Sequence, residues 1–417
     1  MDTKAILSSR RIFLYIFLAG FIVRLLSGLW LRHNIDDDSA TIIARNILSG
    51  NGYSLDGTRP TALRTPGFPF ILAILIALFS EYTIPLVILR AIIGGANACL
   101  CAWLAIKIFN RRTGIVAGIL YMIIPYLAQK EAVTELSFVT FGLLAGLCLS
   151  WKGWNTKKLA WIIPSALAFS FSYLVRPDIG IIPVFISFYL LIGMGKAGKP
   201  RWQLTAAIML VSTFLIGISP WAIRNKIAFG RWYVSQTFLW HNIYIGNHPR
   251  TFQVYPASTL DSFVQAVPMG KNNITGRGEF KREESYRRQA LAEIKKLGPQ
   301  NILKYSLRKL LYLWDIRLVP YKKHLPNNSR TGKPYDISHS VIDNLIFSIP
   351  YLFLVTFALI GCWQERRRPK LLLFIFGLLL SFSLPYMINF AYSRYTTQVY
   401  FVLIIMAARG LVSFLKT

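Results

Sequence analysis

The sequence predicts an all-α, multi-pass integral membrane protein, and three observations carry that prediction. Hydrophobic residues make up 54% of the chain and charged residues only 16%, where a soluble domain carries about 25% charge. Long apolar runs recur along the whole length with short basic clusters between them, the pattern of helices that cross a bilayer and the turns that join them. The period-two alternation of a transmembrane β-barrel is absent.

The first apolar run, near 12–31, follows Lys4, Arg10 and Arg11 and has no small-x-small cleavage site after it, so it reads as an uncleaved signal anchor starting in the cytosol. A polar stretch leads to a short helix over 40–48, with Asp38 or Ser39 available to cap it. Further apolar segments fall near 68–80, 84–109, 114–129, 136–151, 159–175, 179–194, 203–221, 341–361, 371–388 and 396–415. Segment 68–80 is the exception in length. As a helix it spans roughly 20 Å, short of a roughly 30 Å hydrocarbon core, and it opens on Pro66-Gly67-Phe68-Pro69.

Charge placement decides how to count it. If 68–80 crosses, Arg111-Arg112 and the clusters after it fall outside, against the positive-inside rule. If it does not, Arg10-Arg11, Arg111-Arg112, Lys152 with Lys157-Lys158, Lys196 to Arg201, Arg366-Arg367-Arg368 with Lys370, and Lys416 all lie in the cytosol. The prediction is ten crossings, both termini inside, and 68–80 as a re-entrant or juxtamembrane helix. Segments 283–297 and 300–317 carry apolar residues at three-to-four spacing with basic residues between, and read as amphipathic helices lying on the membrane. The organisation is then a transmembrane module with the first external loop (1–221), an external loop with amphipathic helices (222–340), and C-terminal transmembrane helices (341–417). No internal repeat shows at a regular period.

The net charge is +29, from 47 Lys+Arg against 18 Asp+Glu. The basic residues sit at helix ends and no groove-reading motif is present, so the partners expected are anionic membrane lipids and phosphorylated lipids, not nucleic acid. Cys99, Cys101, Cys148 and Cys362 lie inside apolar segments and read as packing residues. His33, His241 and His248 have no metal-ligand spacing on one helix. The sequons at Asn273 and Asn327 carry no weight at this chain length.

Against the basic bias, Asp36-Asp37-Asp38 stands directly after the first apolar run. One reading is a helix N-cap with acids at the positive helix end. Capping needs a single acid, however, and three adjacent carboxylates repel. The chemical reading is a general base beside the bilayer that takes a proton from an acceptor hydroxyl. On the same predicted external side lie Glu131 and Glu135, one helical turn apart, which either position an acceptor, hold a divalent cation, or end a helix in solvent. Arg176 and Asp178 flank Pro177, as a local ion pair or with Arg176 on a phosphate. Arg224 and Arg394 sit at helix ends, where they either snorkel to headgroups or stabilise negative charge developing on a leaving phosphate.

These landmarks together resemble a known family. Asp36-Asp37, Ala44-Arg45-Asn46, Leu48, Gly52-Tyr53 and Arg64-x-Pro66-Gly67-x-Pro69 resemble the first external loop of GT-C glycosyltransferases, in the branch of protein mannosyltransferases and lipid A aminoarabinose transferases. Thr134-Glu135, Arg176-Pro177-Asp178, Pro220-Trp221-x-x-Arg224-Asn225-x-x-x-Phe229-Gly230, Gly246-Asn247 and Ser393-Arg394-Tyr395 follow in the same order.

The resemblance implies a GT-C transmembrane bundle that transfers a sugar, with inversion, from a polyprenyl-phosphate donor to a lipid, glycan or protein hydroxyl on the external face. It puts the catalytic base on Asp36, with Asp37 in the second acidic position. Asp38, Arg64, Glu131, Glu135, Arg176, Asp178, Arg224, Asn225, Asn247, Arg394 and Tyr395 are the substrate-binding candidates. The chain departs from the family pattern at Ala40, where a large residue is common, and at Arg64-Thr65, where the aminoarabinose branch has an acid. No cofactor is required by the sequence, and a divalent cation is the one candidate. A bacterial inner membrane is the expected location, with the endoplasmic reticulum as the alternative. Two rivals remain: a surface-polysaccharide polymerase or ligase using the same kind of donor, and a lipid-linked sugar flippase, which repeats and midplane charges would favour.

Overall fold

A computed structural model describes residues 3–32, 39–192, 200–249, 251, 276–314, 321–327, 334–339 and 344–414. Asp36, Asp37, Asp38 and His33 lie outside the described residues. The helices are α1 (Thr3–Trp30), α2 (Ser39–Leu48), α3 (Gly67–Phe79), α4 (Thr83–Ile108), α5 (Arg111–Ile123), α6 (Pro125–Val133), α7 (Leu136–Thr156), α8 (Ile162–Val175), α9 (Ile181–Ile192), α10 (Pro200–Phe229), α11 (Leu239–Asn247), α12 (Arg277–Leu313), α13 (Ile349–Gln364), α14 (Pro369–Ile388) and α15 (Tyr400–Phe414). One antiparallel hairpin, Tyr321–Asn327 with Pro334–His339, interrupts this helical order.

Among the described residues seven helices are long and apolar enough to cross a membrane, and α5 with α6, bent by 63°, makes an eighth if the pair is one span. Leu159–Val175 and Pro177–Ile192 are shorter apolar helices. Eight of the ten expected crossings fall on these spans, with the bent pair taken as one, and the other two fall on these shorter helices.

Segment 67–79 behaves as its length predicts. α1 and α4 pack antiparallel, with Gly28 against Val87, Gly20 against Gly95 and the Cys99 thiol donating to the Phe13 carbonyl. The chain between them therefore leaves and re-enters the bundle at one end, so α3 makes no net traverse. Small residues allow the contact: a Cβ on Gly95 would lie 2.7 Å from the Phe17 carbonyl oxygen.

Proline and hydroxyl residues set the helix breaks that place side chains at this end. Pro125 starts α6 after the bend at Ile124. Thr134, extended, stops α6, and its hydroxyl donates to the Lys130 carbonyl. Pro177 separates α8 from α9. α10 continues through Pro220 to Phe229, so the module boundary expected at 221 lies inside a helix. α12 is bent where Gly298, at φ +70°, precedes Pro299. The two amphipathic helices predicted over 283–297 and 300–317 are thus the two halves of α12.

Candidate active site

The end of the bundle where α1 hands over to α2 gathers most of the polar residues that the sequence singles out. The first loop is built as a compact cross-braced unit. Asn46 donates to the Ser54 carbonyl (2.9 Å), Ser54 bridges to Pro60, and the Tyr53 hydroxyl donates to the Arg64 carbonyl (3.0 Å). Arg64 Nε in turn donates to Ser39 Oγ (2.9 Å), at the start of α2. Ser39 directly follows Asp38 in the chain.

Two long-range clamps fix this loop. From α10, Arg224 donates to the carbonyls of Thr61 (2.7 Å) and Tyr53 (3.0 Å) and lies over the rings of Tyr53, Trp221 and Phe229. From α12, the buried Glu279 carboxylate accepts from the Thr61 hydroxyl, the Ala62 amide (2.9 Å) and the Thr237 hydroxyl (2.8 Å). Burial pushes the Glu279 carboxyl above its ordinary range, opposed by these three donors and by Arg282.

Beside the loop, Arg176 is the centre of a knot between three helix ends. Its guanidinium bonds Glu135 at 2.8 Å and Asp178 at 3.0 Å and stacks on the Tyr395 ring at 4.6 Å. Tyr386 donates to the same Asp178 oxygen and stacks on Tyr395 with ring centres 5.1 Å apart. The other Asp178 oxygen is buried without a hydrogen-bond partner. Burial alone would raise the Glu135 carboxyl, but Arg176, its own backbone amide and Arg64 hold it down to about 2. Glu135 is therefore a carboxylate at any physiological pH.

Arg394 completes the group, over the rings of Tyr392 (5.1 Å) and Tyr395 (5.4 Å). Lys130 comes to the same place from α6: its ammonium lies 5.4 Å from the Tyr126 ring centre, and the Tyr126 hydroxyl meets Ser393 Oγ at 3.3 Å.

These contacts correct one predicted arrangement and give several predicted residues partners within the protein. Glu131 and Glu135 do not share a helix face, because α6 ends at Val133 and Glu135 stands at the N-cap position of α7, without a side-chain cap. Glu131 is fully buried, bound by Arg24 (3.0 Å), the Tyr121 hydroxyl (2.5 Å) and Asn97 (2.9 Å), and so has no free edge for an acceptor or a cation. Arg176 is paired with two carboxylates, so its charge is answered within the protein. Arg224 is engaged by backbone carbonyls of the first loop. Asn225 is buried, accepting from Arg224 (2.9 Å) and donating to the Tyr233 carbonyl (2.8 Å). Asn247 donates to the carbonyls of Ile243 (2.7 Å) and Ile388 (3.0 Å) and accepts from the buried Lys309 (3.1 Å). Both asparagines hold loop and helix ends together.

Sequence reasoning did not select Lys130, Tyr386, Glu279 or Arg24. Only Arg24 had a readable signal, an arginine inside an apolar run, which calls for a buried partner. Among the described residues no group of three or more His, Cys, Asp or Glu side chains could hold a metal ion.

Residues 63–223 match the family model described as dolichyl-phosphate-mannose-protein mannosyltransferase, a stretch that is less than half of the chain and includes Arg64, Glu135, Arg176 and Asp178. The structure is similar to the archaeal oligosaccharyltransferase AglB of Archaeoglobus fulgidus, solved with an inhibitory peptide and a dolichol-phosphate, at a TM-score of 0.54 and 14% identity over 96% of this chain and 50% of that one. It is similar also to the Archaeoglobus fulgidus oligosaccharyltransferase tethered to an acceptor peptide (TM-score 0.53, 13% identity, 96% and 50%) and to its complex with Zn and sulfate (0.52, 13%, 95% and 49%). This chain thus spans about half the length of the solved structures it matches. No curated protein matches the sequence. The fold is that of the GT-C superfamily.

Proposed function

We propose that the protein is a membrane glycosyltransferase that moves a sugar from a polyprenyl-phosphate donor to an acceptor hydroxyl, with inversion at the anomeric carbon. The observation that carries this reading is the cluster at the first-loop end of a GT-C bundle. There Arg176 holds both Glu135 and Asp178 in ion pairs, while Arg394 has no carboxylate at ion-pair distance among the described residues. An arginine in that state suits a group that gains negative charge during the reaction.

In the proposed step the acceptor oxygen bonds to the anomeric carbon as its proton passes to the Asp36 carboxylate. The bond from that carbon to the phosphate oxygen breaks, and its electron pair goes to the polyprenyl phosphate, facing Arg394. The roles of Asp36 and of Asp37 beside it rest on the sequence resemblance. Arg64, which reaches Ser39 at the start of α2, supports the loop on the C-terminal side of the acidic run. The site belongs on the external, periplasmic face of a bacterial inner membrane. The basic clusters Arg111-Arg112, Lys157-Lys158 and Arg366-Arg367-Arg368 support this, because they stand where helices reach the opposite end of the bundle.

The test uses protein purified in lipid and incubated with radiolabelled polyprenyl-phosphate sugars and a membrane extract, wild type beside Asp36→Asn. Label appearing in a new product with wild type and lost with Asp36→Asn is the expected result. Transfer that survives Asp36→Asn removes the base from Asp36, and the absence of transfer from every donor overturns the reading. A ladder of products instead of one would assign the activity to a polymerase.

A further inference from the structure

We propose that Lys130 and Arg394 together form an anion seat for the phosphate group of the lipid donor, with Lys130 the member that no sequence motif marks. The proposal rests on the glycosyltransferase reading and adds a binding residue to it.

Three observations carry it. The first is placement. Tyr126 and Lys130 are one helical turn apart on α6, so they share a face. The lysine ammonium rests over the Tyr126 ring while the Tyr126 hydroxyl contacts Ser393, the neighbour of Arg394. The charge of Arg394 acts on the Lys130 ammonium.

The second is that α6 cannot rotate away. The next residue, Glu131, is fixed inside the bundle by Arg24, Tyr121 and Asn97. Successive helix residues point about 100° apart, so the anchored Glu131 holds Lys130 in its direction towards Tyr126 and the Ser393 end of the site.

The third is charge balance. The neighbouring carboxylates Glu135 and Asp178 are paired with Arg176, and Glu131 with Arg24. Lys130 and Arg394 have no carboxylate partner among the described residues, and each rests on an aromatic face, Tyr126 for one and Tyr392 and Tyr395 for the other. Two cations held together repel, and an anion between them reverses the sign of that interaction. The donor phosphate fits, since it accepts from a guanidinium and an ammonium at once, and as a diester that becomes a monoester when the sugar leaves it gains charge in the reaction.

Binding separates this proposal from the transfer reading. The probes are a short prenyl phosphate and the matching prenyl alcohol, titrated into the full chain in zwitterionic nanodiscs, with phosphatidylglycerol as competitor. Wild type is expected to bind the phosphate more tightly than the alcohol, with the difference shrinking as salt rises. Lys130→Gln is expected to lose about tenfold or more in affinity for the phosphate and nothing for the alcohol, while Lys130→Arg restores most of the loss. Monodispersity and an unchanged alcohol affinity certify the fold of each variant.

Lys130→Gln binding the phosphate as wild type does would overturn the proposal and leave the transfer reading standing on its own assay. So would phosphatidylglycerol competing as well as the prenyl phosphate, which would make the seat a contact for bulk lipid. A wild type that binds phosphate and alcohol alike would overturn it too, and would do so even if label transfer succeeded.

Discussion

The buried Arg24–Glu131 pair shows how a single residue type divides between structure and chemistry. Both side chains are fully buried, and Arg24 also donates to the carbonyls of Tyr121 (2.8 Å) and Met122 (3.1 Å) in a slot made by Gly94, where a Cβ would meet the arginine at 2.7 Å. Removing one partner strands the other charge, so Glu131→Ala should destabilise by about 3–5 kcal/mol, read as a lower unfolding temperature in one detergent. The double variant Arg24→Met with Glu131→Met should recover most of that loss, because it removes both desolvated charges. A double variant as unstable as the single one would mean that the pair itself holds the helices. In the sequence Glu131 and Glu135 look equivalent. What separates them is the bend before Pro125 and the stop at Thr134, local geometry that turns one acid into the core and the other towards Arg176. Conversely, the partnership of Arg176 with Asp178 was legible, since both flank one proline. The arrival of Glu135 and Tyr386 at the same knot was not, because it depends on how α7 and α14 pack.

At the scale of the element, α12 is held by groups whose burial sets a pH dependence. Glu283 lies in the packed face between α12 and α11, accepting from the Trp240 amide at 3.0 Å, with its second oxygen buried and unpartnered. Burial pushes its carboxyl from 4.5 to about 7, against the Trp240 amide and Arg282, with Glu279 adding to the rise. His241, facing it from α11 against Tyr286, is lowered by burial and by Arg282 from 6.5 to about 4.

The signs oppose. A raised carboxyl favours docking below 4.5 and loses that contribution as pH rises to about 7. A lowered imidazole favours docking above 6.5 and loses it as pH falls to about 4. Wild type therefore shows a shallow profile in this window. Glu283→Gln removes one side of the balance: its docking, followed by hydrogen exchange of α12 corrected for intrinsic rates, should match wild type at pH 4.5 and become progressively more protected up to pH 7, then stay level. Equal protection at pH 8 would take Glu283 out of the docking surface. Sequence periodicity found this element as two amphipathic helices, and Gly298-Pro299 explains why they are halves of one. It assigned them to the membrane surface, and did not anticipate that Glu279 and Glu283 would turn inward onto the first loop and α11, since charged residues on an amphipathic helix ordinarily face water.

For the whole molecule, the fold class was legible because hydropathy and charge placement are local signals. The site was legible only as a set of helix ends on one side. Which of those ends touch depends on the antiparallel packing of the bundle, and that packing reassigns Arg224. In the sequence Arg224 reads as a cation for the leaving phosphate. In the structure it ties α10 to the first loop through Tyr53 and Thr61, opposite the grip of Glu279 on Thr61 and Ala62. The loop that leads from α2 to Arg64 is therefore clamped at one point by α10 and by α12, and a clamp of that kind governs orientation, not affinity.

Arg224→Met keeps most of the side-chain volume over the rings of Tyr53, Trp221 and Phe229 and removes the two donors to the loop. Misplacing a reacting group by about 1 Å lowers rate on the order of 100-fold. The variant should accordingly lose kcat for sugar transfer by up to that order, while its affinity for a prenyl phosphate and the salt dependence of that affinity stay at wild-type values. If Arg224 meets the phosphate instead, affinity and its salt dependence fall together with the rate. The two outcomes differ in a binding measurement that needs no turnover, and so the assignment of Arg224 can be decided before the acceptor is known.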